Sequence, residues 1–207
     1  MKVLLVNGSP HEKGCTRVAL DEVAKELNVQ GIETEIYWLG VQPIAGCIGC
    51  RSCAERGRCF RTDGVNDFIA KAAAADGLVF GSPVHWASAS GAITSFMDRV
   101  FFAGGKRLRG KPAACVVSAR RAGTTATLDQ MMKYFYLCGL PIVPSQYWAM
   151  VHGAKPEDVS QDLEGLQTMR TLAKYMAWMI KSFAEAKTVG IELPQLEDPV
   201  MRTNFVR

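Results

Sequence analysis

Cys47, Cys50, Cys53 and Cys59, within "CIGCRSCAERGRC", form a C-x2-C-x2-C-x5-C array that places four of the seven cysteines in thirteen residues. Two x2 steps let three thiolates converge on one side of an iron-sulfur cubane, and the longer step brings in a fourth, close to the compact ferredoxin-type pattern of a 4Fe-4S cluster. Zinc suits the spacing less well, because a structural zinc site usually pairs two x2 knuckles across a longer loop. Reduced thiols in an oligomer-facing loop are the second reading, and a disulfide pair among them the third. Seven unevenly spaced cysteines argue against a secreted disulfide framework, so the expected compartment is the cytoplasm.

Three further stretches hold a different set of candidates. In "NGSPHEKGCTR" an apolar run ends and a helical pattern begins. Ser9, the backbone amides and Thr16 therefore face a helix N-terminus, where unpaired amides and the helix dipole favour a phosphate. No lysine follows Gly14 as a P-loop requires, and the Gly8-to-Gly14 spacing is not G-x-G-x-x-G, so an NTPase and a Rossmann dehydrogenase are both disfavoured. In "GSPVHWASASGAITSFMDR" a proline-stiffened turn presents His85 and Trp86, an aromatic edge suited to a planar heterocycle. "SARRAGTTATL" is a third loop of small residues, fit for close backbone approach.

The elements that must position these loops alternate along the chain. "KVLLV", "TEIYWL", "GLVFGSP" and "PAACVVSA" read as strands. Thr16–Val29, "VNDFIAKAAAAD", "GAITSFMDRVF" and "TLDQMMKYFYLCG" read as helices, the last closed by Gly139. "PIVPSQYWAM" returns to extended structure, and one long amphipathic helix is expected from Pro156 to about Ala186. Such alternation gives an α/β, doubly wound, mostly parallel sheet with ligands outside the carboxyl ends of its strands. At 207 residues with 48% hydrophobic and 21% charged residues, one domain with a sizeable core is expected. Residues 1–187 form that domain and 188–207 a tail without clear period. The formal charge of +4 gathers in clusters such as "KRLRGK" and Arg120 with Arg121. These lack any nucleic-acid-binding signature, and no segment has the length and apolarity of a membrane span.

"NGSPHEKGCT", "GSPVHWASASGAITSFMDR" and "GKPAACVVSARRAG", in this order and spacing, resemble the flavodoxin-like NAD(P)H-dependent FMN reductases. That group includes iron-sulfur flavoproteins and related quinone reductases. The resemblance covers roughly residues 1–150 and implies a three-layer flavodoxin-like sheet of order 2-1-3-4-5, FMN at its carboxyl edge, and a homodimer or homotetramer. Carried over by position, it assigns Ser9, His11, Cys15 and Thr16 to the phosphate loop. Pro83, Val84, His85 and Trp86 then line the ribityl chain and ring, and Ser118, Arg120 and Gly123 lie near the ring. The chain departs from the family pattern at Cys15, His85 and Thr94, where Asn, Tyr and Lys are usual. A four-cysteine motif after the second strand is also a feature of the iron-sulfur flavoproteins.

The expected function is an FMN-containing oxidoreductase that takes electrons from NAD(P)H and passes them to a small acceptor. Such a protein has to hold a flavin with one face open and stack a nicotinamide against it, so binding residues and no dedicated catalytic base are expected. Arg120, Arg121 or "KRLRGK" are candidates for attracting the nucleotide phosphates. The alternative is an iron-sulfur flavoprotein coupling a 4Fe-4S cluster to FMN, with a ferredoxin-like protein as donor. From another class, a non-enzymatic electron carrier or redox sensor is the third reading, which the basic charge and chain length disfavour.

Overall fold

The computed structural model describes residues 1–197, 200, 201 and 203. Apolar runs at Lys2–Asn7 (β1), Gly77–His85 (β3) and Ala113–Ala119 (β5) form the centre of a parallel sheet. Glu33–Trp38 (β2) lies at one edge and Met150–His152 (β6) at the other. The order β2-β1-β3-β5-β6 is the expected 2-1-3-4-5, because Ser88–Ala89 (β4) is only a short antiparallel return on β3. The central strands read as continuous hydrophobic runs because both of their faces are covered.

Alternation along the strands divides the core into two layers. Leu4, Val6, Leu78, Phe80, Cys115 and Val117 point toward the helices Val65–Ala74 (α3), Gly91–Leu108 (α4) and Thr124–Cys138 (α5). There Phe68, Phe80, Phe96, Phe101 and Phe135 make tilted and edge-on aromatic contacts with centroids 4.8 to 6.1 Å apart. Val3, Leu5, Val79, Ala114 and Val116 face the opposite way, onto Cys15–Val29 (α1) and Leu163–Thr188 (α7).

Two local expectations are corrected. The long helix expected from Pro156 is two, Pro156–Val159 (α6) and α7. Asp162 between them accepts from the amide of Gly165 (2.9 Å) and the amide of His152 (2.7 Å). A carboxylate that caps a new helix and pins β6 outweighs the apolar period running through it. The extended segment after α5 pairs with β5 in two pieces, at Ile142 and at Met150–His152, since Pro141 and Pro144 have no N–H to offer a ladder. A short helix, Ser52–Arg56 (α2), also forms inside the cysteine-rich loop.

The described part of the tail folds onto its own chain: Leu193 packs over Gly110, and Arg109 donates to the carbonyl of Pro194 at 2.6 Å. The rest of the 188–207 segment lies outside the described residues. Among the described residues no helix is long and apolar enough to cross a membrane.

Candidate functional site

β1, β3 and β5 deliver three loops to the carboxyl edge of the sheet. In the first, Gly8 leaves β1 with its amide bonded to the carbonyl of Gly81 (2.9 Å). A side chain there would meet Gly81 O and Ile93 at 2.8 Å, so only glycine fits between the strands. Asn7 ties the loop down at two points, accepting from the Ser9 amide (3.1 Å) and donating to the Glu12 carbonyl (3.0 Å). Trp38, at the end of β2, donates through Nε1 to the Ser9 carbonyl (2.9 Å). Gly14 stands at the N-cap of α1 and supplies no side-chain cap, so the first-turn amides remain available to an anion. Buried hydroxyls back this opening: Ser9 accepts from the His11 amide, and Thr16 shares a hydrogen bond of 2.8 Å with Ser118 at the end of β5.

The second loop is the β3–β4 hairpin. Trp86 (φ 52°) and Ala87 (φ 58°) are its two central residues, both in the left-handed region that a two-residue turn requires. A tryptophan there is strained, and it is also fully exposed, a combination that recurs where a side chain is held out for a ligand. Gln130 of α5 accepts from Ser88 Oγ (2.5 Å) and from the Ala89 amide (3.1 Å), which fastens the hairpin to the helix behind it. In the third loop Gly123 has φ 95°, and a Cβ there would lie 2.6 Å from Ala87 Cα and 2.8 Å from Val84. This glycine is what lets the second and third loops touch.

These residues meet a flavin phosphate's needs: an uncapped helix end, buried hydroxyls and a glycine neck. Pro83 and Val84 are half-buried, while His85 and Arg120 stand in solvent beside the hairpin. Cys15 behaves differently from a phosphate-facing group. Its thiol lies 3.5 Å from the carbonyl of Gly153, toward which it donates, and burial pushes its pKa up. The helix N-terminus therefore does not leave it as an activated thiolate, and its backbone amide is what it offers the loop.

The fourth loop follows β2 from the same edge. Cys47, Cys50, Cys53 and Cys59 are all free thiols and all line one pocket, together with Arg99, Phe102 and Ala103 of α4. The loop winds tightly because left-handed residues punctuate it: Gly49 (φ 66°) after Cys47, Arg51 (φ 59°) after Cys50, and Gly57 (φ 66°) before Cys59. Cys47 Sγ accepts from the Gly49 amide (3.5 Å). Bonding with Ser52 lowers the pKa of exposed Cys50, and burial raises that of Cys53. Among the described residues no three His, Cys, Asp or Glu side chains are grouped to hold a single metal ion. The four thiols line one pocket, and thiolates are the donor type that a cluster ligated at separate corners needs.

Arg99 was not among the residues singled out from sequence, yet it organises this pocket. Its side chain is 1% exposed and forks onto Asp63, Nη1 to Oδ2 at 2.5 Å and Nη2 to Oδ1 at 2.6 Å. Nη1 also donates to the Ala45 carbonyl (3.3 Å) and Nη2 to Cys59 Sγ (3.4 Å). The guanidinium holds the Asp63 carboxyl below the usual carboxylate range. Nε is buried without a partner, a cost of about 1–3 kcal/mol for a lost donor. A signal was present in the sequence: Arg99 sits on the helical stripe shared by Phe96 and Ala103, a charge where the period asks for an apolar residue.

The three flavin loops thus share one edge; the cysteine loop leaves that edge and lies along α4, Cys53 against the Phe102 carbonyl, and "KRLRGK" is at the far end of the same helix. α4 starts at that edge and runs 18 residues, about 27 Å, to the opposite end of the sheet. Arg107 there donates to the Gly57 carbonyl (3.3 Å), Arg109 is bound to the tail, and Lys111 bonds the Ala75 carbonyl. The segment therefore lies away from the flavin loops, whereas Arg120 and Arg121 lie in the third of them.

An α/β protein with three loops suited to a phosphate and a ring at its carboxyl edge, and a thiol-lined pocket on the loop that follows β2, has the make-up of the flavin-binding redox class. Residues 1–155 match the NADPH-dependent FMN reductase family, and the chain belongs to that family as an FMN-dependent oxidoreductase. An iron-sulfur flavoprotein from Methanocaldococcus jannaschii is 33% identical over 189 residues, 87% of this chain and 98% of the relative. One from Methanosarcina thermophila is 26% identical, over 84% of this chain and 92% of the relative. Among solved structures, RosB with bound intermediate 8-demethyl-8-formylriboflavin-5'-phosphate superposes with a TM-score of 0.72 at 14% identity, covering 100% of this chain and 96% of that one. At that identity the likeness shows the flavodoxin-like fold alone.

Proposed function

We propose that this FMN oxidoreductase is an iron-sulfur flavoprotein, with a 4Fe-4S cluster held by Cys47, Cys50, Cys53 and Cys59. The observation that carries this reading is the single pocket lined by all four thiols, on a loop leaving the same sheet edge as the flavin loops. The relatives named iron-sulfur flavoproteins support it. When bound, FMN supplies two-electron exchange with a nicotinamide and the cluster supplies one-electron exchange with a partner.

The side chains bind and orient. Ser9, His11, Thr16 and the amides of Cys15 and Thr16 would hold the phosphate, Pro83, Val84, His85 and Trp86 would line the ring, and Ser118, Arg120 and Gly123 would lie near it. The electron partner in this reading is a small-molecule acceptor or a ferredoxin-like protein, NAD(P)H is the co-substrate, and the chain works in the cytoplasm as a homodimer or homotetramer. The exposed aromatics Tyr147, Trp148 and Trp178 support assembly.

Anaerobic purification followed by iron, sulfide and spectral analysis tests the reading. About four iron and four sulfide per chain with broad visible absorption are expected. A plain two-banded flavin spectrum without iron after anaerobic reconstitution returns the protein to a hydride-transferring NAD(P)H reductase with reduced thiols.

A further inference from the structure

We propose that Arg99 is a positioning residue for the cysteine-bound cluster: through Nη2 it fixes Cys59 and raises the cluster's reduction potential. The proposal rests on the cluster reading above and goes beyond it by assigning the group that sets the electron affinity of the pocket.

An arginine sealed from solvent is rare unless its charge is answered. Asp63 answers it here with two short bonds, yet Asp63 itself keeps 42% of its side chain exposed, so the carboxylate is partly solvated and the guanidinium is not. The buried positive charge is therefore only partly compensated, and it lies on the pocket wall with Cys59 Sγ at 3.4 Å. A cluster on four thiolates is a net negative body. A cation and an N–H donor at one of its sulfurs stabilise the electron-rich reduced form over the oxidised form. The same guanidinium bonds the Ala45 carbonyl, two residues before Cys47, so one side chain ties together both ends of the cysteine array. Asp63 is the anchor that keeps the fork aimed, and Phe102 and Ala103, one turn on, close the wall behind it.

The test is an EPR-monitored redox titration of the anaerobically reconstituted, full-length protein, wild type against Arg99→Gln and Arg99→Lys, with iron and FMN content measured on every sample. Arg99→Gln removes the charge and is expected to move the cluster midpoint to a more negative potential while FMN content stays at the wild-type level. Arg99→Lys keeps the charge but not the fork, and its potential is expected to fall between the two. Where Arg99→Gln does not fold or hold iron, Arg99→Lys and Asp63→Asn carry the comparison, each expected to hold iron with a displaced midpoint. Wild-type potentials in iron-replete variants would overturn the role of Arg99 and leave the cluster reading standing. A wild-type protein that takes up no iron overturns the cluster reading and this proposal with it.

Discussion

Gly123 shows how little room the flavin edge leaves. Its φ of 95° and the 2.6 Å approach to Ala87 mean that Gly123→Ala strains the backbone and pushes the two ring-side loops apart. A stability loss of about 1–3 kcal/mol is expected, with FMN binding weakened roughly tenfold or more in a fluorescence titration. Thiol chemistry is divided as sharply. In cluster-free protein at neutral pH, alkylation is expected at exposed Cys50, whose thiolate Ser52 favours. Cys115, pushed up to about 12 by burial in β5, is expected to react only after unfolding. Asp63 makes stability depend on acid. Its folded pKa lies below the ordinary 3.8, so its contribution is fully present above that value and is lost as pH falls through the folded pKa. Urea midpoints measured down through the acid range are expected to fall less steeply in Asp63→Asn than in wild type. At this scale the cysteine spacing and the glycines were legible, because type and spacing alone constrain them. The roles of Arg99 and Gln130 were not, since a charged or polar residue on a helix reads as solvent-facing until its neighbours are known.

Elements were legible where one periodicity dominates. The strands "KVLLV" and "GLVFGSP" are buried on both faces, α1 carries a clean apolar stripe and α4 one interrupted only at Arg99, so their places along the chain follow from the pattern. The pattern failed where one polar side chain overrides it. Asp162 sits inside an apolar period and breaks it by capping α7, and Asp162→Ala is expected to cost about 1–2 kcal/mol. The check is a lower urea midpoint with unchanged slope. The two-residue strand β4 is equally invisible, because its place depends on Gln130 reaching it from forty residues downstream. Gln130→Ala leaves the buried Ala89 amide without its acceptor, about 1–3 kcal/mol. The dissociation constant for FMN is expected to rise about tenfold, while α5 stays folded by circular dichroism.

At the scale of the whole molecule the flavin loops hang from β1, β3 and β5, whereas the cysteine loop follows β2 and lies along α4 against Arg99 and Phe102. α4 touches both, because its N-cap Ser90 donates to the Gly8 carbonyl (3.1 Å). Substitutions confined to the cysteines leave that contact intact and are therefore expected to spare FMN. The direct measurement is FMN and iron quantified on one anaerobically purified sample of the Cys50→Ala, Cys53→Ala double variant. The prediction is wild-type FMN content with iron and sulfide lost. Iron retained at the wild-type level, or wild-type protein equally devoid of iron, would contradict a cluster on these cysteines.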